Sequence, residues 1–126
     1  ASVMVPGTPS QVDLADVEQA WRVGCLGAWS ALQASVPLMD SVSAFFVTGG
    51  GLALHPWPGA SALGSAKAAL RNFVFASAAE LSELRVAMIT IAGVIGQDIE
   101  ADEIARYFLG LLEEQAPPVE TVLPQA

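Results

Sequence analysis

The sequence predicts an α/β fold with three or four parallel strands and helices on both faces. Two observations carry this. Short β-branched and aromatic runs at residues 42–48, 85–91 and 119–123 alternate with longer segments of helical periodicity. The intervening segments are long enough for crossover helices, which join parallel rather than antiparallel neighbours.

Each element follows from local chemistry. Residues 2–5 (S-V-M-V) form a short apolar segment stopped by Pro6 and Gly7, and read as the tail of a first strand. Asp13 or Asp16 opens a helix over residues 14–36, with acidic side chains where the macrodipole favours them. Leu14, Val17, Trp21, Cys25, Ala28, Leu32 and Val36 recur at helical spacing, and Pro37 lies near the end. Gly24 and Gly27 interrupt this helix, so a close backbone contact is expected at both. Residues 42–48 (V-S-A-F-F-V-T) read as a buried strand ended by Gly49, Gly50 and Gly51. A loop with His55, Pro56, Trp57, Pro58 and Gly59 leads to an Ala- and Leu-rich helix over residues 60–84. Residues 85–91 (R-V-A-M-I-T-I) are the next buried strand, broken by Ala92 and Gly93. Residues 101–115 form an amphipathic helix with Ile104, Phe108, Leu111 and Leu112 inward. Pro117 and Pro118 end it, and residues 119–123 make a last strand.

Composition limits what the chain can do. With 126 residues it is read as one domain, residues 1–126. Hydrophobic residues make up 53% and charged ones 14%, against about 25% charged in an average domain. The longest clean apolar run, residues 86–96, has 11 residues, and a spanning helix needs about 20. No membrane association is therefore expected, and the excess apolar surface calls for a partner or a second copy. The formal net charge of −8 and the scatter of Arg22, Lys67, Arg71, Arg85 and Arg106 argue against nucleic acid and anionic membranes. Without a basic leader region, a cytoplasmic location is the expectation. One Cys25 and one His55 exclude a Cys/His metal set within the chain.

Residues 45–71, F-F-V-T-G-G-G-L-A-L-H-P-W-P-G-A-S-A-L-G-S-A-K-A-A-L-R, resemble the active-site strand, loop and helix of the short-chain dehydrogenase/reductase family. Residues 77–81 with 84–86 resemble its helix-to-strand step. Residues 20–28 resemble the preceding helix, residues 91–95 its cofactor-contacting loop, and residues 120–124 its last strand. The resemblance covers the second half of the family's domain from about residue 10 onward. It implies a partial Rossmann-like, doubly wound fold.

The resemblance also implies which catalytic residues are missing. The family's Tyr-x-x-x-Lys pair reads Leu63-x-x-x-Lys67 here, and leucine cannot exchange a proton. The family's serine position holds Gly50, with Thr48 and Ser61 offset; its asparagine position holds Gly24, and the proline of the cofactor loop is Ala92. Only Lys67 remains, as a vestigial cofactor-binding residue, and no catalytic residue is assigned. The Gly49-Gly50-Gly51 triplet leads into a Pro-rich loop, not a helix, so it lacks the context of a phosphate-binding turn. No cofactor is expected for the chain alone; NAD(P) would need a separate nucleotide-binding half.

Other candidates each have a plainer reading. His55 beside Asp40 or Asp98 lacks acid/base spacing, and Cys25 sits in apolar company where thiols are inert. Asp98, Glu100, Asp102 and Glu103 cluster at a helix start, the usual macrodipole arrangement, so no metal is assigned. Tyr107 reads as packing. The family's main dimer contact pairs the helices that correspond to residues 14–36 and 60–83. Gly27, Ala28, Ala31, Ala66, Ala69 and Ala76 would allow close approach there. The expectation is a non-catalytic homodimer or oligomer, a pseudoenzyme. The alternatives are an oxidoreductase subunit completed by an N-terminal half, and a binder of a small apolar ligand at Leu52, Leu54, Trp57, Leu63 and Val94.

Overall fold

The computed structural model describes residues 2–125. Three parallel strands pair in sequence order: β1 (Ala44–Gly50), β2 (Arg85–Ile91) and β3 (Glu120–Leu123). Ala44 stands opposite Arg85 and Gly50 opposite Ile91; Met88 stands opposite Glu120 and Ile91 opposite Leu123. The central strand β2 is buried from Val86 through Ile91. A parallel strand covered on both faces needs a continuous apolar run, which explains R-V-A-M-I-T-I.

The chain divides into two compact units: one is the chain up to Leu38 with Leu52–Phe73, the other Met39–Gly51 with Val74 onward. The second unit holds the sheet and α4 (Ala101–Glu113). Ile89, Ile91, Ile99, Ile104, Leu111 and Leu123 form its buried cluster, with Phe46, Tyr107 and Phe108 packed against it. The Phe46 and Phe108 rings lie 6.0 Å apart. Thus α4 covers one sheet face through Ile104, Phe108 and Leu111, as its periodicity predicts, whereas Leu112, also expected inward, is 45% exposed. The Arg85 guanidinium donates to the Leu112 carbonyl and satisfies the end of this helix. Val86, Met88 and Thr90 are buried on the opposite sheet face. There the Thr90 hydroxyl donates to Glu120 Oε1 at 2.7 Å, so the buried polar group keeps a partner.

The first unit is helical. It contains α1 (Leu14–Trp21), a π turn (Arg22–Leu26), α2 (Gly27–Ser35) and the start of α3 (Ser61–Glu80). The Asp13 carboxylate accepts from the Ala15 amide at 3.1 Å and caps α1. Trp21 Nε1 donates to Ser65 Oγ at 2.8 Å, and the Trp29 and Phe73 rings stack with centroids 4.8 Å apart. Residue numbers rise together along both partners, so the two helical segments run side by side in one direction. Ala20, Ala62 and Ala66 make the buried seam, flanked by Val12 and Val17.

Several expectations need correction. Residues 2–5 are not a strand: Pro6 has no amide hydrogen, and the pairing nearby is a single bridge from Gly7 to Ala60. The expected helix over residues 14–36 contains a π turn, a register change that periodicity does not reveal. Gly49 and Gly50 belong to β1 rather than ending it. The next helix stops at Glu80, four residues short of its expected end at 84. The close contact expected at both helix glycines exists at Gly24 only; Gly27 is exposed, with Arg22 O the nearest atom at 3.8 Å from an added Cβ.

Candidate functional site

Lys67 and Leu63 lie one turn apart on α3, on the same face. Both are half-buried. Among the described residues the Lys67 ammonium has no hydrogen-bond or ion-pair partner. Burial pulls its pKa below the ordinary lysine range. One turn earlier on the same face, Leu63 offers no polar group to pair with it.

This predicts a measurable pH effect. Lys67→Met keeps the apolar stem and removes the half-desolvated charge. Its thermal midpoint is expected to rise by about 3 °C at neutral pH. The folded pKa lies below the unfolded one, so the cost of burial is full at lower pH. It fades as pH rises through the folded value toward the ordinary 10.5. The advantage of the variant should therefore shrink in alkaline buffer. A lower midpoint for the variant at neutral pH would contradict this.

Gly24 lies buried in the π turn, and an added Cβ would stand 3.1 Å from the Ala66 Cβ. Its backbone rests directly on α3, so the space an asparagine needs is absent. Gly24→Asn should cost about 1–3 kcal/mol by overpacking, read as a lower urea midpoint. Ala66 is spent in this contact and is fully buried, so it does not serve an outer interface. Cys25, next to Gly24, is buried, and its thiol pKa is raised by burial.

Two glycines of the triplet, Gly49 and Gly51, have a packing role. An added Cβ at Gly49 would run into Met88 Cε and stand 2.7 Å from Thr90 Oγ1, and one at Gly51 would stand 2.8 Å from Ala92 Cα. Only bare backbone allows β1 and the turn after it to press on β2 and its exit. Gly50 has neither hydroxyl nor side chain to offer.

The remaining candidates are engaged or dispersed. The Asp40 carboxylate accepts from Ser43 Oγ, Val42 N and Ser43 N, and these hydrogen bonds lower its pKa. Asp98 accepts from Val94 N at 2.7 Å and closes the loop after β2. His55 is exposed in the loop before α3. Asp102 and Glu103 occupy the first turn of α4. No group of three or more His, Cys, Asp or Glu among the described residues could hold a metal ion. Leu52, Leu54, Trp57 and Leu63 of the expected apolar cleft belong to the first unit, and Val94, exposed, to the second.

Sequence reasoning missed an open groove of about 750 Å³ in the second unit, lined by Glu103, Arg106, Tyr107, Gly110, Thr121 and Gln125 among others. Its walls come from α4 and the segment around β3, which no sequence spacing links. The Tyr107 hydroxyl reaches Gln125 Oε1 at 3.4 Å, and Arg106 Nε donates to the Asp102 carbonyl.

No protein-family model matches the sequence, and no curated protein matches it. Solved structures do match. An alcohol dehydrogenase from the archaeon Thermococcus sibiricus, complexed with 5-hydroxy-NADP, superposes with a TM-score of 0.83 at 20% identity, covering 98% of this chain and 59% of that one. A short-chain dehydrogenase from Rhodopseudomonas palustris gives 0.83 at 21%, covering 99% and 59%. A small-chain dehydrogenase gives 0.85 at 20%, covering 96% and 62%. The chain thus has the fold of part of a short-chain dehydrogenase, and spans 59–62% of the length of these structures. No helix among the described residues is long and apolar enough to cross a membrane.

Proposed function

We propose that this chain is a non-catalytic protein of short-chain dehydrogenase fold that acts by self-association through its helices at residues 14–36 and 60–83. The observation that carries the reading is a row of exposed apolar side chains. Leu14, Trp21, Leu26 and Trp29 are between 46% and 80% exposed. Two α turns span about seven residues, and the π turn adds one, so Trp21 and Trp29, eight apart, share a stripe. Phe75 on α3 is also exposed. A chain with 14% charged residues cannot leave such rows in water without cost.

A second reading makes the chain one part of an NAD(P)-dependent oxidoreductase. Its support is the 59–62% span of the matched structures and the retained Lys67. Leu63 opposes it, because no proton donor replaces the missing tyrosine. Titration of the purified chain with NADPH, followed by fluorescence, separates the two. The proposal expects no saturable binding; a saturable complex would overturn the non-catalytic reading.

A further inference from the structure

We propose that the start of α3 and the loop before it hold an apolar monocarboxylate, with its carboxylate on Lys67 and its acyl chain lying over Leu63 toward Trp57. The site lies wholly within the first unit and does not depend on self-association.

The geometry is a short apolar strip with one cation at its end. The backbone turns into α3 at Ala60, whose carbonyl accepts from the Gly64 amide at 2.9 Å. The Trp57 indole lies across Gly59 there: a Cβ on Gly59 would stand 3.0 Å from Trp57 Cζ2. Leu63 follows about one turn later and Lys67 one turn after that. Leu52 flanks the strip, 3.7 Å from where a Cβ on Gly64 would stand. Gly64 is three residues before Lys67, so Leu52 sits beside the lysine's side of the helix. Trp57 is exposed, and Leu52 and Leu63 are half-buried, so the strip can be covered further.

The chemistry selects the ligand. Lys67 is a half-buried cation without a partner among the described residues. A carboxylate would give it a charge-assisted hydrogen bond in partly desolvated surroundings. With a net charge of −8, the chain repels anions at long range, so a ligand with several phosphates gains little from one lysine. A single charge with an apolar body avoids that penalty and draws its affinity from burial. From Ala60 to Lys67 the helix rises about 10 Å, which an acyl chain of about eight to ten carbons spans.

The test is calorimetric titration of the full chain with decanoate and with 1-decanol, both below the concentrations at which they aggregate. Decanoate is expected to bind saturably and at least about tenfold more tightly than decanol. Lys67→Met should abolish that preference while retaining weak binding of both, and Lys67→Arg should keep it. Absence of saturable decanoate binding, equal affinity for acid and alcohol, or an unchanged preference in Lys67→Met would each overturn the proposal. Because the sedimentation mass is read separately, failure here leaves the self-association reading standing, and the converse also holds.

Discussion

Leu26→Glu is expected to turn a dimer into a monomer, weakening self-association by about 100-fold or more. Leu26 closes the π turn with 53% of its surface exposed, so in the lone chain a carboxylate there meets water. The fold should scarcely respond: exposed substitutions usually change stability by less than about 0.5 kcal/mol. In a two-fold interface the same substitution appears twice, on both copies. Two unpaired carboxylates would then be stripped of water against apolar neighbours, in a chain already at −8. Sedimentation velocity together with a urea melt reads both effects. An unchanged mass with an unchanged melt would show that this stripe is not the contact.

Ile89→Ala should have the largest effect on stability, about 3–4 kcal/mol. Ile89 lies in the middle of the central strand with no exposed surface, and it joins β2 to α4 through the cluster containing Ile104 and Leu111. Truncation leaves a cavity that neither the strand ladders nor the helix can close. A domain of this size has a total stability of about 5–15 kcal/mol, so the loss is a large share. Val122→Ala, partly exposed on the edge strand β3, should cost well under half as much. Equal urea midpoints for the two variants would place the core elsewhere.

The parts of the fold that were legible in the sequence are those where one physical demand dominates. The central strand was read at its observed bounds, Arg85–Ile91, because burial on both faces leaves an unbroken apolar run. The helix α4 was read to within two residues, because only one of its faces is buried and its pattern is clean. The π turn at Arg22–Leu26 was not legible: it alters register without altering composition. The ends of β1 were misread because glycine usually marks a turn, whereas Gly49 is needed inside the strand by Met88 and Thr90. The apolar segment at residues 2–5 has strand composition but takes no strand conformation, and Pro6 beside it has no amide hydrogen to donate. At the candidate site, the resemblance alone singled out Leu63 and Lys67; their spacing sets only a shared face of α3. The lack of a partner for the Lys67 ammonium among the described residues and the close seat of Gly24 on Ala66 required coordinates, because both depend on residues distant in sequence.

The central claim is that the exposed apolar helices are satisfied by a second copy of the chain. Sedimentation equilibrium of the purified protein, without added partner or cofactor, tests it most directly. The account predicts a single species of twice the 13.0 kDa chain mass that persists on dilution. A monomer that binds hydrophobic dye, or a polydisperse aggregate, would contradict it and point to a different chain as the missing cover.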